Sequence, residues 1–311
     1  MKVLALAVLV VAGLAGPAFG ADPAHRPVTI WSEGSRLSGD LWLPPELEQG
    51  ERAPAILLTH GWGGVKAHLN RAYAPQMAAE GFVVLTFDYR GWGESDGRIV
   101  AVSRDRLPEP GPDGTMTLAV REVREVVDPV AQIEDITNAI AYLAYDPSVD
   151  PERIGIWGSS YSGGHVITMA ALDDRISAVV SQVGQQGGEW PEEAGPLAAE
   201  RAAQRARGEV GMVPPAEDAA PGLRGLPEWS RMVRYKPLAL AGFVDVPTLI
   251  IDAADEELFD RRKNGEALHA ALKARGVETA YEVFPGRHYD IYSNQLGPAR
   301  AAAIAWFKKH L

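Results

Sequence analysis

The chain has 311 residues, a hydrophobic fraction of 46% and a formal net charge of −11, with a pI of about 5.2. This length allows one large α/β domain or two small ones, and the hydrophobic fraction is ample for a buried core. The acidic charge and the absence of a clustered basic face argue against a nucleic-acid surface, and the absence of cysteine excludes disulfides and thiolate chemistry.

The first twenty residues have the composition of a secretory signal peptide. Lys2 precedes an apolar run at 3–14, and Ala18-Phe-Gly20 has small residues at both positions that a signal peptidase recognises. The apolar run is short for a membrane span, which favours cleavage after Gly20 over an uncleaved anchor. We therefore expect a mature chain that begins at Ala21, is secreted or periplasmic, and has no stable membrane insertion.

The following residues predict strands that alternate with helices. Two edge strands at 28–33 and 36–43 flank a tight turn, and apolar runs predict buried strands at 55–59, 82–87, 153–157, 176–183, 247–251 and 279–284. Helical patterns occur at 69–79, 130–143 and 297–311 and in a segment that ends at 274, whereas 98–117 is rich in Pro and Gly and predicts an irregular excursion. Such alternation is typical of an α/β fold with a mostly parallel sheet and helices on both faces.

Residues 153–165 predict a strand, a tight turn and a helix around a serine, which is the pattern of a nucleophile elbow. Two registers are available, Gly158-x-Ser160-x-Ser162 and Ser160-x-Ser162-x-Gly164. Ser160 closely follows the strand, whereas Ser162 would lie deep in the helix. We therefore predict Ser160 as the nucleophile, with Ser162 in place of the usual last glycine because serine is also small.

A long segment at 184–243 lacks a strand pattern and lies between two core strands, so we predict a helical lid insertion. Trp190, Trp229 and Met232 are large for a solvated lid. They either line a substrate pocket or form a small core within the lid, and the sequence does not decide between these alternatives.

Two polar loops follow the last predicted strands. Acidic residues occur at 252–260 after one strand, and His288 follows the final strand within the loop at 285–292. A serine hydroxyl needs a base, and the base needs a carboxylate that orients it. The order serine, acid, histidine on an alternating β/α chain is that of the α/β-hydrolase arrangement.

Four stretches, at 60–64, 88–95, 153–166 and 288–292, resemble α/β-hydrolases, above all the dienelactone-hydrolase-like and polyketide-transferase-like groups. The Gly-x-Ser-Tyr-x-Gly form is also similar to that of the X-Pro dipeptidyl-peptidase and cocaine-esterase group. The resemblance implies that Ser160 attacks a carbonyl carbon and that His288 is the base. It also implies an oxyanion hole, which we assign to the backbone amides of Trp62 and Tyr161.

The resemblance places the orienting acid in the loop at 252–260. We choose Asp255, which lies a few residues beyond the strand, because the loop there can turn towards His288. Asp252 still belongs to the strand end, and Glu256 is the alternative because the loop offers neighbouring carboxylates. We interpret His60, at a strand end, as a structural residue.

The expected function is that of a secreted serine hydrolase that cleaves esters or thioesters of small molecules through an acyl-enzyme, with a Ser-His-Asp triad. Two other classes stay open: a small-peptide serine peptidase, and a non-catalytic binding protein of the same fold. No metal-ligand motif is present, so we expect neither metal nor cofactor. The sequence predicts no oligomeric state.

Overall fold

The computed structural model describes residues 23–103, 105–187 and 190–311. The predicted signal peptide lies outside these residues. Within them, none of the helices has the length and apolar character that a membrane crossing requires.

The described residues form twelve strands and eight α-helices. The strands are β1 (Ala24–Ser32), β2 (Ser35–Leu43), β3 (Ala53–Thr59), β4 (Val83–Phe87), β5 (Arg98–Ala101), β6 (Val120–Val123), β7 (Val126–Val127), β8 (Val149–Ser159), β9 (Ile176–Gln182), β10 (Leu226–Pro227), β11 (Thr248–Ala253) and β12 (Thr279–Phe284). The helices are α1 (Lys66–Ala72), α2 (Ala74–Ala79), α3 (Pro129–Ala144), α4 (Tyr161–Leu172), α5 (Ala194–Ala206), α6 (Trp229–Met232), α7 (Gly265–Ala274) and α8 (Leu296–His310).

Eight of the strands form one central sheet in the order β1-β2-β4-β3-β8-β9-β11-β12. The first two strands pair antiparallel with each other and β2 pairs antiparallel with β4, whereas the remaining neighbours are parallel. The predicted α/β class with a mostly parallel sheet is therefore confirmed, including the antiparallel edge pair.

The core forms two layers, one on each face of the sheet. Along β3, Ala55 and Leu57 belong to the layer under α3, α4 and α7, while Ile56 and Leu58 belong to the layer under α1, α2 and α8. Successive strand residues point to opposite faces, so a continuous apolar run is what a strand covered on both sides requires. This explains why the central strands lack polar alternation.

The predicted helix at 69–79 is divided into α1 and α2 at Tyr73. Pro75 occupies the first turn of α2, where its missing N–H costs nothing, but in a continuous helix its ring would clash with the carbonyl four residues earlier. The break is therefore a consequence of Pro75.

The structure contains two short strand pairs that the sequence did not predict, one in the segment predicted as irregular and one in the predicted helical lid. Residues 98–101 pair antiparallel with 120–123 as a separate hairpin, and Leu226 and Pro227 of the lid pair in parallel with Val126 and Val127. Each strand of these pairs has at most four residues, which is too short for a period of two to be detected in the sequence. The second pair attaches the lid to the chain that precedes α3.

Candidate active site

The site lies at the carboxyl edge of the central sheet, where β3, β8, β11 and β12 all end. Parallel strands bring the loops that follow them to the same edge, and ligands of open α/β sheets bind there. The loops that bear Trp62, Ser160, Glu256 and His288 therefore meet although the residues are far apart in sequence.

Ser160 lies at the turn between β8 and α4 in a strained backbone conformation, with φ 57° and ψ −125°. Non-glycine residues rarely adopt a positive φ, and such strain persists where surrounding contacts enforce it. The Ser160 N–H donates to the carbonyl of Gln182 at 2.9 Å, and the Ser160 carbonyl accepts from Gly163 at 2.9 Å. A Cβ at Gly158 would lie 2.4 Å from the carbonyl oxygen of Ser162, so the turn requires glycine there.

Ser162, the alternative nucleophile, is fully buried beneath the turn. Its hydroxyl donates to Thr59 Oγ1 at 2.7 Å and lies 2.9 Å from the Tyr89 hydroxyl. These bonds hold the elbow to the end of β3. The structure therefore places Ser160, and not Ser162, at the open side of the elbow.

His288 lies between Ser160 and Glu256. Its Nε2 is 3.2 Å from Ser160 Oγ, and its Nδ1 is 3.0 Å and 2.9 Å from the two carboxylate oxygens of Glu256. The side chains of His288 and Glu256 are each only 2% exposed. An ionised carboxylate only accepts hydrogen bonds, so Nδ1 carries the proton and Nε2 is free to accept the proton of Ser160.

The choice of Asp255 as the orienting acid is corrected by this geometry, because the carboxylate on His288 belongs to Glu256. The backbone continues to pair beyond the end of β11: Ala254 N–H donates to Phe284 O at 2.8 Å, and Asp255 N–H donates to Gly286 O at 2.9 Å. Asp255 is held in this extended ladder and is exposed. The chain turns towards the histidine one residue later, at Glu256.

The two glutamates of this loop hold different parts of His288. Glu256 contacts the ring and also accepts the backbone N–H of Leu258 at 2.9 Å, whereas Glu257 Oε2 accepts the backbone N–H of His288 at 2.9 Å. One carboxylate therefore fixes the ring and the other fixes the turn that bears it.

Asp252 lies at the strand end, as the sequence indicated, and does not contact His288. It is 2% exposed, and the Tyr281 hydroxyl donates to its Oδ2 at 3.0 Å. Burial raises the pKa of Asp252 to about 7, and the negative charge of Glu256 acts in the same direction. Below that pH, Asp252 is mostly protonated, which avoids placing a second charge close to Glu256.

The glycine-rich loop after β3 packs directly against the nucleophile. A Cβ at Gly61 would lie 2.8 Å from both Ser160 Cβ and the Ser159 carbonyl oxygen. Tyr161 is the first residue of α4, so its N–H has no acceptor within the helix. The indole N–H of Trp62 donates to the Arg224 carbonyl of the lid at 2.9 Å, and its ring packs at 5.8 Å from that of Tyr161.

Two buried histidines near the elbow have structural contacts. His60 Nδ1 lies 3.1 Å from the Gly61 carbonyl, and His165 bridges the Tyr235 hydroxyl and the Gln132 side chain at 2.8 Å and 3.1 Å. Burial lowers the pKa of His60 to about 4 and that of His165 to about 3, so both are neutral near pH 7.

The three large lid residues proposed for substrate binding pack inward against the core layer under α3, α4 and α7. Met232 is fully buried, and the rings of Trp190 and Trp229 pack edge to face at 5.6 Å. The Trp229 indole donates to the Asp218 carbonyl at 3.0 Å. The three residues therefore pack as core residues, and this core is shared with the sheet rather than confined to the lid.

The sequence did not single out Ser159, Gln182 and Tyr292, which form a hydrogen-bonded group behind the nucleophile. One signal was available, because Tyr292 lies only four residues after His288, within the same predicted loop. Among the described residues, no group of three His, Asp or Glu side chains could hold a metal ion.

A family model described as X-Pro dipeptidyl-peptidase (S15 family) matches residues 33–190, which is just over half of the chain. The matched segment contains the glycine-rich loop and Ser160. It ends before the loops that carry Glu256 and His288.

The chain has relatives among both uncharacterised and named proteins. An uncharacterised 31.7 kDa protein of Escherichia coli is 30% identical over 312 residues, covering 89% of this chain and 98% of the relative. The thiohydrolase aneE of Aspergillus aculeatus is 34% identical over 150 residues, covering 48% of this chain and 38% of the relative. The polyketide transferase ATR5 of Stachybotrys chlorohalonatus is 34% identical over 151 residues, covering 48% and 40%.

Solved structures share the fold at low sequence identity. The α/β hydrolase GrgF of a Penicillium species has a TM-score of 0.65 at 18% identity, covering 92% of this chain and 99% of that one. A Klebsiella pneumoniae protein assigned as a dienelactone hydrolase has a TM-score of 0.60 at 15% identity, covering 93% and 100%. The chain is thus an α/β hydrolase, and it belongs to the S15 family of X-Pro dipeptidyl-peptidases.

Proposed function

We propose that this hydrolase cleaves carboxylic esters or thioesters through an acyl-enzyme on Ser160, with His288 as the base and Glu256 as the orienting acid. The observation that carries the proposal is His288, which contacts Ser160 Oγ with one ring nitrogen and the Glu256 carboxylate with the other. This chain of contacts is the arrangement that activates a serine hydroxyl.

In the first step, Ser160 Oγ attacks the carbonyl carbon and its proton moves to His288 Nε2. Glu256 stabilises the imidazolium, and His288 then gives the proton to the leaving alcohol or thiol. Water, deprotonated by the same nitrogen, releases the acid and regenerates Ser160. The amides of Trp62 and Tyr161 are the proposed donors to the oxyanion.

The thiohydrolase and the polyketide transferase among the relatives support an acyl group bound to oxygen or sulfur. Peptide bonds are the second candidate, because the matching family model is that of X-Pro dipeptidyl-peptidases. A panel of p-nitrophenyl esters of graded chain length, thioesters and aminoacyl p-nitroanilides separates the two. A preference for an aminoacyl amide over every ester and thioester would assign the protein to the peptidases.

The nucleophile is tested with Ser160→Ala and a fluorophosphonate probe. We expect the wild-type protein to be labelled at Ser160 and the variant to be unlabelled. Turnover of a short-chain ester should fall by about 10⁴-fold or more while the far-UV spectrum is unchanged. Ser162→Ala should be far milder, because it removes bonds beneath the elbow. Labelling at Ser162, or no labelling of folded wild-type protein, would contradict the assignment.

We also propose that the chain is exported and cleaved after Gly20, on the basis of the signal-like composition of the first twenty residues. N-terminal sequencing of protein from the native host tests this directly. We expect Ala21 as the first residue of material outside the cytoplasm, and cytoplasmic protein that retains Met1 would contradict the proposal.

A further inference from the structure

A group of four hydrogen-bonding side chains connects the strand of the nucleophile with the turn of the base. Ser159 Oγ lies 2.7 Å from the Tyr292 hydroxyl, and Gln182 Nε2 donates to Ser159 Oγ at 3.1 Å and to the Tyr73 hydroxyl at 3.0 Å. Ser159 immediately precedes Ser160. Tyr292 ends the short helical turn that begins at His288.

The direction of each hydrogen bond follows from the number of protons available. Ser159 has one hydroxyl proton, which it donates to the Gln182 carbonyl at 3.3 Å, and its oxygen accepts from Gln182 Nε2. When Ser159 gives its only proton to the Gln182 carbonyl, the Tyr292 hydroxyl is the donor in its bond with Ser159. Burial raises the pKa of Tyr292, which keeps this hydroxyl protonated as a donor.

Three members of this group are buried, and Tyr292 is half-buried. Ser159 is 3% exposed, Tyr73 is 2% exposed and Gln182 is fully buried. The Gln182 carbonyl also accepts the N–H of Ser160 at 2.9 Å. The bonds from Glu256 and Glu257 attach His288 to the loop after β11, whereas the Tyr292 bond attaches its turn to the strand that bears Ser160.

We propose that Tyr292, acting through Ser159 and Gln182, is a positioning residue that sets the distance between His288 Nε2 and Ser160 Oγ. The 3.2 Å contact between these atoms is the one the reaction uses. The Ser159–Tyr292 hydrogen bond joins the turn that bears His288 to the residue before Ser160. It therefore restrains the position of the base relative to the nucleophile. This inference rests on the proposed function of the same site.

The test compares Tyr292→Phe, Ser159→Ala and the double variant in steady-state hydrolysis of a p-nitrophenyl ester. Each single variant should lower kcat about tenfold with KM unchanged, because the buried hydroxyls meet no substrate but the base is displaced. The double variant should be no slower than Ser159→Ala alone, within about twofold, because Ser159→Ala already removes the bond to Tyr292. The rate of fluorophosphonate labelling should fall in parallel.

Tyr235→Phe is the matched control. It also removes a tyrosine hydroxyl, which lies 2.8 Å from both Thr168 Oγ1 and His165 Nδ1, and both partners lie within α4 rather than in the loops of Ser160 or His288. We expect it to lower the melting temperature and leave kcat at the wild-type value. A loss of kcat in this control equal to that in Tyr292→Phe would overturn the positioning role.

The outcomes separate this inference from the proposed function. Wild-type protein that folds but is neither labelled nor active overturns the proposed function and the inference together. Two outcomes overturn the inference alone, provided that the wild-type protein is labelled and active. One is a wild-type kcat in Tyr292→Phe, and the other is a loss in the double variant that equals the product of the two single losses. If Tyr292→Phe does not fold, Ser159→Ala tests the inference instead. A wild-type kcat in Ser159→Ala would then overturn the positioning role.

Discussion

A glutamate side chain is one methylene longer than an aspartate side chain, and Glu256 uses this length at His288. Both of its carboxylate oxygens lie within 3.0 Å of Nδ1, and one of them also accepts the N–H of Leu258. The bond from Leu258 therefore holds the Glu256 carboxylate in the position from which it orients the ring of His288. Asp255 is one residue too early, because its N–H is still bonded to the Gly286 carbonyl.

The first prediction follows from this contact. Glu256→Gln should lower kcat by about 10³- to 10⁴-fold, because an amide neither fixes the productive tautomer of His288 nor stabilises the imidazolium. Asp255→Asn, the matched control on the adjacent residue, should stay within about threefold of wild type. Ester hydrolysis and circular dichroism measure activity and folding. A damaging Asp255 change beside a mild Glu256 change would reverse our assignment.

Among the elements, the loop after β3 packs directly against the nucleophile. Gly61 lies against the Ser159 carbonyl and Ser160, and Trp62 is bonded to the Arg224 carbonyl of the lid. Lid and elbow therefore both contact this loop. Any shift of the loop moves the proposed oxyanion donor relative to Ser160.

The second prediction concerns Gly61→Ala. The added Cβ would meet a backbone carbonyl and the Ser160 side chain at 2.8 Å, so the loop must shift. We expect kcat for ester hydrolysis to fall by about 10²-fold, as when one oxyanion donor is lost. Gly195→Ala in α5 is the control: its Cβ meets nothing within 4 Å, and alanine favours the helix by up to about 1 kcal/mol. Full activity in Gly61→Ala would show that the loop does not supply a donor.

At the scale of the whole molecule, buried ionisable groups couple stability to pH. His60 and His165 are buried, and burial lowers their pKa values from 6.5 to about 4 and about 3. The unfolded chain binds protons at these residues below pH 6.5, whereas the folded chain does not until the pH is much lower. Stability from this source is therefore lost as the pH falls from 6.5 towards 3.

Asp252 acts in the opposite direction. Burial raises its pKa from 3.8 to about 7, so the folded chain holds a proton that the unfolded chain has released. Its contribution to stability therefore decreases as the pH rises from 3.8 to about 7. The histidine and aspartate contributions partly cancel over this range in the wild-type protein.

The third prediction uses variants to separate these contributions. Relative to wild type, His165→Gln should become more stable as the pH falls below 6.5, and Asp252→Asn should become more stable as the pH rises towards 7. Urea unfolding across this pH range gives the two differences in the free energy of unfolding. A difference that does not change with pH would show that the residue has the same pKa in both states.

Local patterns in the sequence determined the fold class and the positions of the two central site residues. Continuous apolar runs predicted the buried strands, and small residues around Ser160 predicted the turn between β8 and α4. The loop with His288 was predicted from its place after the last strand. All of these features depend on residues that are close neighbours in the chain, which is why periodicity and turn chemistry detect them.

Only the tertiary structure decided which acid faces His288 and what holds the site together. The chain turns at Glu256 because the backbone after β11 pairs with the chain after β12 as far as Asp255. The Trp62–Arg224 bond joins residues 162 positions apart. The Ser159–Tyr292 bond spans 133 positions. No local pattern encodes such contacts, because they arise when the sheet brings the ends of separate strands to one edge.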